Sequence, residues 1–357
     1  MEALMKGVVF SGNRKIEFQD FDDPKSAPGE VVIEIKASGM CGSDLHLYRS
    51  PGGGPAMAAS LGLGGDGRAA IGGHEPCGIV VERGAGVPKH VAADGARVMV
   101  HHYSGCDICP DCRGGWPQLC QVGPMQVYGV TANGAHSSHM VIPASTLVPL
   151  PDELSFETGA AISCGTGTAY GALKRMKMEG GRTLAVFGQG PVGTSATMLG
   201  KAMGMHVFAI DISDERLALA KKCGADEIIN VTNKDAVEEL RKLTGGKGVH
   251  YAVECSSNPD ARVAAVRGTR TWGTACYVGE GGTVQLEVSP DMIRRQITLM
   301  GSWTFSTNIQ DECTKFIADN GVPIDALITD HFKLSDAVGA YEKFDKQQMG
   351  KGMLTPD

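Results

Sequence analysis

The chain has 357 residues, a formal net charge of −7 and a pI near 5.8, which argues against a nucleic-acid or anionic-membrane partner. Its length predicts two domains, and its 49 glycines, roughly twice the usual share, predict many tight turns. No apolar stretch reaches the ~18 residues of a membrane-spanning helix, and no signal-peptide core precedes the first strand pattern, so we expect a cytoplasmic protein.

The first part of the chain reads as β-rich, with strand patterns over 5–10, 15–18 and 30–36. Cys41, Ser43, Asp44 and His46 follow within six residues. A cysteine alone here is usually a packed core thiol, but Gly73-His74-Glu75 downstream adds an imidazole and a carboxylate. Cysteine and histidine are natural zinc ligands, and a catalytic zinc takes three protein ligands and keeps one open position. Asp44 would then orient a histidine ligand.

Residues 51–73 read as a long loop, rich in glycine, alanine and leucine, with a short helix over 56–61. A loop of this length is either functional or mobile. Because it connects two candidate metal ligands, a lid or pocket wall is favoured over disorder.

Strand patterns resume over 77–82 and 96–100, and a dense cysteine cluster follows at Cys106, Cys109, Cys112 and Cys120. This spacing fits a closed zinc site of four thiolates, and an iron–sulfur cluster is the rival metal centre. The third interpretation is four thiols that bind no metal. Eleven cysteines, an odd number, in a chain without an export signal favour metal ligands and reduced thiols over disulfides.

Residues 127–150 are again β-like, and Pro149 and Pro151 mark the exit from the first domain. A helix is predicted over 155–161, with Ser155 as its N-cap. Cys164 then precedes a helix start of small residues, where a thiolate could meet a metal and a nicotinamide. Taken alone, such a cysteine is more often a buried thiol than a ligand.

The clearest motif is a dinucleotide-binding unit over 183–211. An apolar strand at 183–187 breaks into Gly188-Gln189-Gly190-Pro191-Val192-Gly193, then into a helix and a second strand that ends on Asp211. The glycines permit a tight turn and a close backbone approach to a pyrophosphate at the helix N-terminus. A carboxylate at Asp211 welcomes a free ribose 2′-hydroxyl, so NAD is favoured over NADP. Arg216 nearby could soften that preference.

After Asp211, helices and strands alternate, which predicts a doubly wound parallel sheet. Helices are predicted over 214–223, 235–243 and 260–267, and strands over 227–231, 249–254, 274–279 and 297–303. Further helices are predicted over 308–319 and 335–346, and a short apolar segment over 352–354 closes the chain.

With the cysteine motifs, Gly73-His74-Glu75 and the dinucleotide unit in this order, the chain resembles the zinc-containing alcohol dehydrogenases of the medium-chain dehydrogenase/reductase superfamily. The resemblance covers essentially the whole length. It implies an α/β protein with a GroES-like β-rich catalytic domain over 1–164 and 305–357. It also implies a Rossmann NAD-binding domain, a doubly wound parallel sheet, over 165–304.

The resemblance assigns site residues one by one. The catalytic zinc ligands match Cys41, His74 and Cys164, and Glu75 matches an acidic neighbour that enters the coordination shell. The structural zinc ligands, which the resemblance favours over an iron–sulfur cluster, match Cys106, Cys109, Cys112 and Cys120. Ser43 and His46 match a proton relay. The predicted cofactor-binding residues are Thr168, Gly188, Gly190, Pro191, Val192, Gly193, Asp211, Arg216 and Val278.

The implied reaction is a reversible hydride transfer between NAD and a secondary alcohol or polyol, with two zinc ions per chain. In the implied mechanism, zinc polarises the alcohol oxygen and the proton leaves through Ser43 and His46. An aldehyde or ketone reductase and a non-catalytic dinucleotide-binding regulator are the alternatives. The alternative for His46 is that it lies on the surface and has no role in the reaction. His102 is either a polar pocket wall or a surface residue beside His101. We expect a homotetramer, with a dimer as the other option.

Overall fold

The computed structural model describes residues 4–60, 67, 69–123 and 125–357. They form two compact units. The first comprises the chain up to Cys164 together with Ser306–Asp319 and Ile328–Asp357, and the second comprises Gly165–Phe305 and Asn320–Leu327. Among the described residues, no helix has the length and apolar character needed to cross a membrane.

The strands and helices follow the chain in this order. The strands are β1 (Leu4–Gly12), β2 (Lys15–Asp22), β3 (Glu30–Gly39), β4 (Pro76–Arg83), β5 (Arg97–Val100), β6 (Tyr103–Ser104), β7 (Gln126–Val127), β8 (His139–Pro143), β9 (Leu147–Pro149), β10 (Thr183–Phe187), β11 (His206–Asp211), β12 (Glu227–Asn230), β13 (Val249–Glu254), β14 (Thr269–Tyr277), β15 (Thr298–Gly301), β16 (Ile328–Lys333) and β17 (Lys351–Thr355). The helices are α1 (Asp44–Arg49), α2 (Gly53–Ser60), α3 (Pro110–Arg113), α4 (Phe156–Ala161), α5 (Gly167–Arg175), α6 (Pro191–Ala202), α7 (Asp214–Lys222), α8 (Ala236–Leu243), α9 (Pro259–Gly268), α10 (Thr307–Asn320) and α11 (Ala337–Asp345).

The first unit is built on a seven-stranded sheet in the order β16-β17-β3-β4-β5-β9, with β8 also paired to β3. All its pairs are antiparallel except β16 with β17. Val31, Ile33 and Ile35 of β3 are fully buried in a core that also takes Val80 and Met140. These side chains alternate along the strand, as a sheet with one buried face requires. The GroES-like β-rich domain is thus confirmed.

A β-hairpin of β1 and β2 stands beside this sheet. Its turn residues, Asn13 and Arg14, both have a positive φ, the backbone twist that a two-residue hairpin loop requires. Inward-facing Val8 and Phe10 of β1 join a second core cluster with Tyr341 of α11. This cluster connects the N-terminal hairpin to the C-terminal helix of the same unit.

The second unit is a parallel sheet in the order β12-β11-β10-β13-β14-β15. Numbered from the unit's own first strand, β10, the strand order is 3-2-1-4-5-6, which is the doubly wound order. The chain adds strands on one side of β10 first and then on the other. Side chains of β10, β11 and β13 such as Phe187, Phe208 and Ala252 are buried under the flanking helices. The predicted Rossmann domain is confirmed, and its strands lie close to their predicted bounds except β14, which begins five residues before the predicted 274.

Some elements differ from the predictions. The predicted helix over 56–61 begins three residues earlier, as α2, while 61–66 and 68 of the predicted loop lie outside the described residues. No element is predicted where the structure has strand β16. Residues 320–327, predicted in the first domain, belong to the second unit. Val322, Ile324 and Leu327 of this segment are buried, and its last turn packs against α6.

Arg97 of β5 ties the segment before α4 to the sheet. Its guanidinium donates to the carbonyl oxygens of Asp152 (2.8 Å) and Leu154 (2.5 Å) and lies 4.5 Å from the centre of the Phe156 ring. Only a planar, multiply donating cation satisfies carbonyls and an aromatic face together. We expect Arg97→Met to lower the free energy of unfolding by about 1–3 kcal/mol. Urea denaturation followed by circular dichroism measures the change.

The control is Arg83→Met on the neighbouring strand β4. Arg83 pairs with Asp94 at 3.3 Å, but the Asp94 side chain is 69% exposed, so the loss should stay below about 0.5 kcal/mol. Equal losses in the two variants would contradict the role given to Arg97.

Candidate active site

Four buried side chains from three separate segments of the first unit converge on one point. Cys41 follows β3, His74 and Glu75 precede β4, and Cys164 lies in a π-helical turn over Ile162–Thr166. Their ligand atoms all lie within 4.8 Å of one another. Each side chain is at most 9% exposed. The structure therefore brings together the four residues predicted for a catalytic metal.

The spacing of the two sulfur atoms fits zinc. Cys41 Sγ and Cys164 Sγ lie 3.9 Å apart. Two sulfurs that ligate one tetrahedral zinc at about 2.3 Å each would lie about 3.8 Å apart. The Cys164 thiol, as hydrogen-bond partner, and the nearby His74 lower the pKa of Cys41, while that of Cys164 is raised by the same contact. A thiolate is the form of cysteine that binds a metal.

His74 is oriented by Asp44, at the start of α1. His74 Nδ1 lies 2.8 Å from Asp44 Oδ1, so the Nε2 atom of His74 is left as the ligand atom. Burial would raise the pKa of Asp44, but the neighbouring His74 lowers it to about 2. A carboxylate–histidine pair of this kind fixes the tautomer and ring orientation of a metal ligand.

Glu75 has a cationic partner that the sequence analysis misses. Lys351 of β17 is 1% exposed, contacts Glu75 Oε2 through Nζ and donates to the carbonyl oxygen of Met40 at 3.3 Å. Burial is the largest influence on Glu75 and raises its pKa to about 7, despite this lysine. A Cβ at Gly39 would lie 1.9 Å from Glu75 Oε2, so only glycine leaves room for the carboxylate. The sequence feature that could have indicated this partner is a lysine at the start of an apolar strand near the C-terminus.

The predicted relay residues lie on the first turn of α1 and beside it. Ser43 and His46 are both exposed, and Ser43 Oγ lies 3.1 Å from His74 Nε2. Their backbones are joined by a hydrogen bond from His46 N–H to the Ser43 carbonyl at 3.0 Å. The relay itself stays a prediction.

His102 is buried, so the surface alternative for this residue was wrong. It is 2% exposed, and its Nδ1 lies 2.9 Å from the carbonyl oxygen of Ser163, which makes Nδ1 the protonated nitrogen. Burial keeps its pKa well below the usual value. The His102 ring stands edge-on to the His74 ring, with centres 5.1 Å apart. His102 therefore borders the metal-ligand cluster as a neutral imidazole.

The second ligand group lies in the lobe over 106–120 of the same unit. Cys106, Cys109, Cys112 and Cys120 form a second set of ligand atoms that meet within 4.8 Å. Cys106 Sγ and Cys112 Sγ lie 3.9 Å apart, the separation expected around zinc. Backbone N–H groups of Cys109 and Cys112 donate to the preceding thiols of the motif, at 3.3 and 3.5 Å. Gly105 packs so closely that a Cβ there would lie 2.7 Å from Cys112 Sγ.

In the second unit, the three glycines of the dinucleotide motif have three different environments. Gly188 has a φ of +85°, which a tight turn after β10 requires. A Cβ at Gly193 would lie 1.7 Å from the Gly188 carbonyl oxygen, so this glycine permits close packing of α6 on the turn. A Cβ at Gly190, the N-cap of α6, would meet no atom of the described residues within 4 Å. Open space at this glycine, before a helix that begins with Pro191 and Val192, suits a pyrophosphate.

Asp211 ends β11, and its carboxylate is held by the backbone. It accepts from the N–H groups of Gln189 (2.5 Å), Ile212 (2.7 Å) and Ser213 (3.0 Å). The remaining predicted cofactor residues lie elsewhere in the unit: Thr168 is buried in α5, Arg216 is half-buried in α7, and Val278 is half-buried just after β14.

The chain matches known families over both units. Residues 27–152 match the family model described as "Alcohol dehydrogenase GroES-like domain", and residues 191–319 match "Zinc-binding dehydrogenase". A protein of Escherichia coli strain K12, named an uncharacterised zinc-type alcohol dehydrogenase-like protein, is 35% identical over 99% of each chain. A sorbitol dehydrogenase of Bacillus subtilis strain 168 is 30% identical over 95% of this chain and 93% of its own.

A solved structure agrees with this likeness. Acetophenone reductase of Geotrichum candidum, in complex with NAD, superposes with a TM-score of 0.83 at 25% identity. The match covers 99% of this chain and 98% of that protein.

Metal analysis tests both ligand groups. We expect the purified protein to hold about two zinc ions per chain, and Cys41→Ser and Cys112→Ser to lose about one each. Inductively coupled plasma mass spectrometry measures the content. Cys223→Ser, at the end of α7 and in neither ligand group, should keep both ions. A Cys41→Ser protein with unchanged zinc would contradict the assignment of the first group.

Gly190→Ala tests the dinucleotide turn. Because the added Cβ lies more than 4 Å from the other elements of the described structure, we expect an unchanged melting temperature, while the methyl group obstructs the approach of a pyrophosphate. A loss of about tenfold in NADH affinity, or about 1.4 kcal/mol, is expected by fluorescence titration. Gly123→Ala in the first unit, whose added Cβ also meets no atom within 4 Å in the part of the chain that the structure describes, is the control and should bind as the wild type does. Equal binding by both variants would rule out this placement of the pyrophosphate.

Proposed function

The chain belongs to the zinc-containing alcohol dehydrogenases of the medium-chain dehydrogenase/reductase superfamily, and on that premise we propose that it oxidises a secondary alcohol or polyol with NAD. The observation that carries the proposal is the convergence of Cys41, His74, Glu75 and Cys164 within 4.8 Å in a buried site. Two thiols, an imidazole and a carboxylate are a donor set that suits catalytic zinc. A non-catalytic regulator would have no use for such a site in a chain that also carries a complete dinucleotide motif.

Cys41, His74 and Cys164 would hold the catalytic ion, and Cys106, Cys109, Cys112 and Cys120 a structural one. When bound, zinc supplies Lewis-acid polarisation of the substrate oxygen, and NAD supplies the hydride acceptor. The protein's own part is to orient His74 through Asp44 and to provide a path for the proton. Ser43, beside His74 Nε2, would accept that proton, and exposed His46 would release it to solvent.

The preference for NAD rests on Asp211. Three backbone N–H groups hold its carboxylate at the end of β11, where it favours a ribose diol and repels a 2′-phosphate. The bound NAD of the acetophenone reductase supports this choice. The sorbitol dehydrogenase among the relatives supports a polyol as substrate.

A carbonyl reductase is the second candidate, because the acetophenone reductase has the same fold and works on a ketone by name. The same residues serve both directions. We propose a cytoplasmic homotetramer, with a dimer as the alternative that light scattering would reveal.

A spectrophotometric screen tests the proposal. Secondary alcohols and polyols are offered with NAD and, in parallel, with NADP, and the corresponding ketones with NADH. We expect oxidation with NAD, at a kcat/KM at least about tenfold above that with NADP, and a weakened preference in Asp211→Ala. Glu215→Ala, an exposed carboxylate in the same helix–strand region, is the control and should keep the preference. Turnover with NADP alone would refute the role of Asp211, and a faster ketone reaction would favour the reductase.

A further inference from the structure

Behind His74, Asp44 begins a buried chain of polar side chains whose other members the proposed mechanism does not use. Asp44 Oδ2 accepts from the Tyr341 hydroxyl at 2.9 Å, and Tyr341 Oη lies 2.7 Å from His136 Nε2. His136 Nδ1 lies 2.8 Å from Ser38 Oγ. All four side chains are at most 1% exposed. They come from α1, α11, the segment before β8, and β3.

The donors and acceptors along this chain have one consistent order. Asp44 Oδ2 also accepts from Cys41 N–H at 2.9 Å, and an ionised carboxylate can only accept, so Tyr341 must donate to it. The only hydroxyl proton of Tyr341 is then used, and its oxygen must accept from His136 Nε2–H. Burial lowers the pKa of His136 to about 4. This neutral imidazole therefore presents a bare Nδ1, which accepts from the Ser38 hydroxyl.

The packing around the chain leaves little room for another arrangement. The Tyr341 ring stands edge-on to Phe10, with centres 4.9 Å apart, and also packs against Tyr48 at 6.0 Å. A Cβ at Gly73, the residue before His74, would lie 2.3 Å from His136 Nδ1. The His136 ring therefore rests against the backbone next to the metal ligand.

We propose that Tyr341 and His136 are positioning residues of the metal centre, which hold the Asp44 carboxylate in the orientation that receives His74 Nδ1. The inference rests on the proposed function, since it concerns the same zinc site. Groups that orient a metal-ligating histidine typically change metal affinity or activity by about 10–100-fold when they are removed. Tyr341 and His136 act one contact further out, through Asp44.

Tyr341→Phe tests the proposal, because it removes one hydroxyl and keeps the ring. Zinc transfer to a coloured chelator is followed in the holoenzyme, and the phase absent from Cys41→Ser is assigned to the Cys41 site. We expect about tenfold faster release from that site in Tyr341→Phe, with the release from the four-cysteine lobe unchanged. Tyr48→Phe is the matched control, since it removes a hydroxyl from a ring that packs against Tyr341, and among the described residues no hydrogen bond joins that hydroxyl to Asp44. This variant should release zinc as the wild type does.

The outcomes separate this inference from the function on which it rests. Wild-type protein without zinc at the Cys41 site would overturn both. Zinc present there, with equal release from Tyr341→Phe and Tyr48→Phe, would overturn the positioning role alone. If Tyr341→Phe does not fold, nitrogen-15 histidine NMR of the wild type decides. The proposal requires His136 as the Nε2–H tautomer, and the Nδ1–H tautomer would overturn it.

Discussion

Burial of several acidic ligand groups within 4.8 Å of one another is the constraint on which the site depends. Two thiols and a carboxylate repel one another when ionised, and desolvation makes each charge costly unless cations are close by. A divalent ion bound by these groups would supply most of the compensation, and Lys351 supplies a positive charge on the side of Glu75. The backbone also leaves space for the ligand residues. A side chain at Gly39 or Gly105 would occupy the space of a ligand.

In the two units, the residues of the predicted binding sites are positioned in different ways. In the first, side chains from distant parts of the sequence hold the ligand set, and a framework of buried hydrogen bonds sets their angles. In the second, main-chain features form most of the predicted dinucleotide site. They are the turn at Gly188, the open N-terminus of α6 and the N–H groups around Asp211. On the proposed function, the first unit would hold the metal and the alcohol oxygen, and a few atoms of the second would select the cofactor.

The sequence predicts local features well and distant ones poorly. The dinucleotide turn, the cysteine lobe and the strand-helix alternation are contiguous patterns, so the order of the amino acids alone displays their periodicity and spacing. Residue types alone marked Cys41 and His74 as candidate zinc ligands, but the family resemblance was needed to add Cys164 as the third ligand, because nothing local shows that the three meet. Lys351, His136 and Tyr341 escaped prediction altogether. A single polar residue in an apolar helix, strand or loop looks like an ordinary surface position until tertiary contacts show that it is buried.

The distribution of ligands along the chain also bears on how the protein folds. The lobe over 106–120 closes its four sulfurs with short loops, whose entropic cost is low. The other site spans residues 41–164 and gains Lys351 and Tyr341 only from the final β-strand and helix. During synthesis the ribosome thus releases every part of the lobe well before the last partners of the larger site. Truncation of the C-terminal residues would keep all four cysteines of the lobe. It would remove Lys351 and Tyr341, which support the other site.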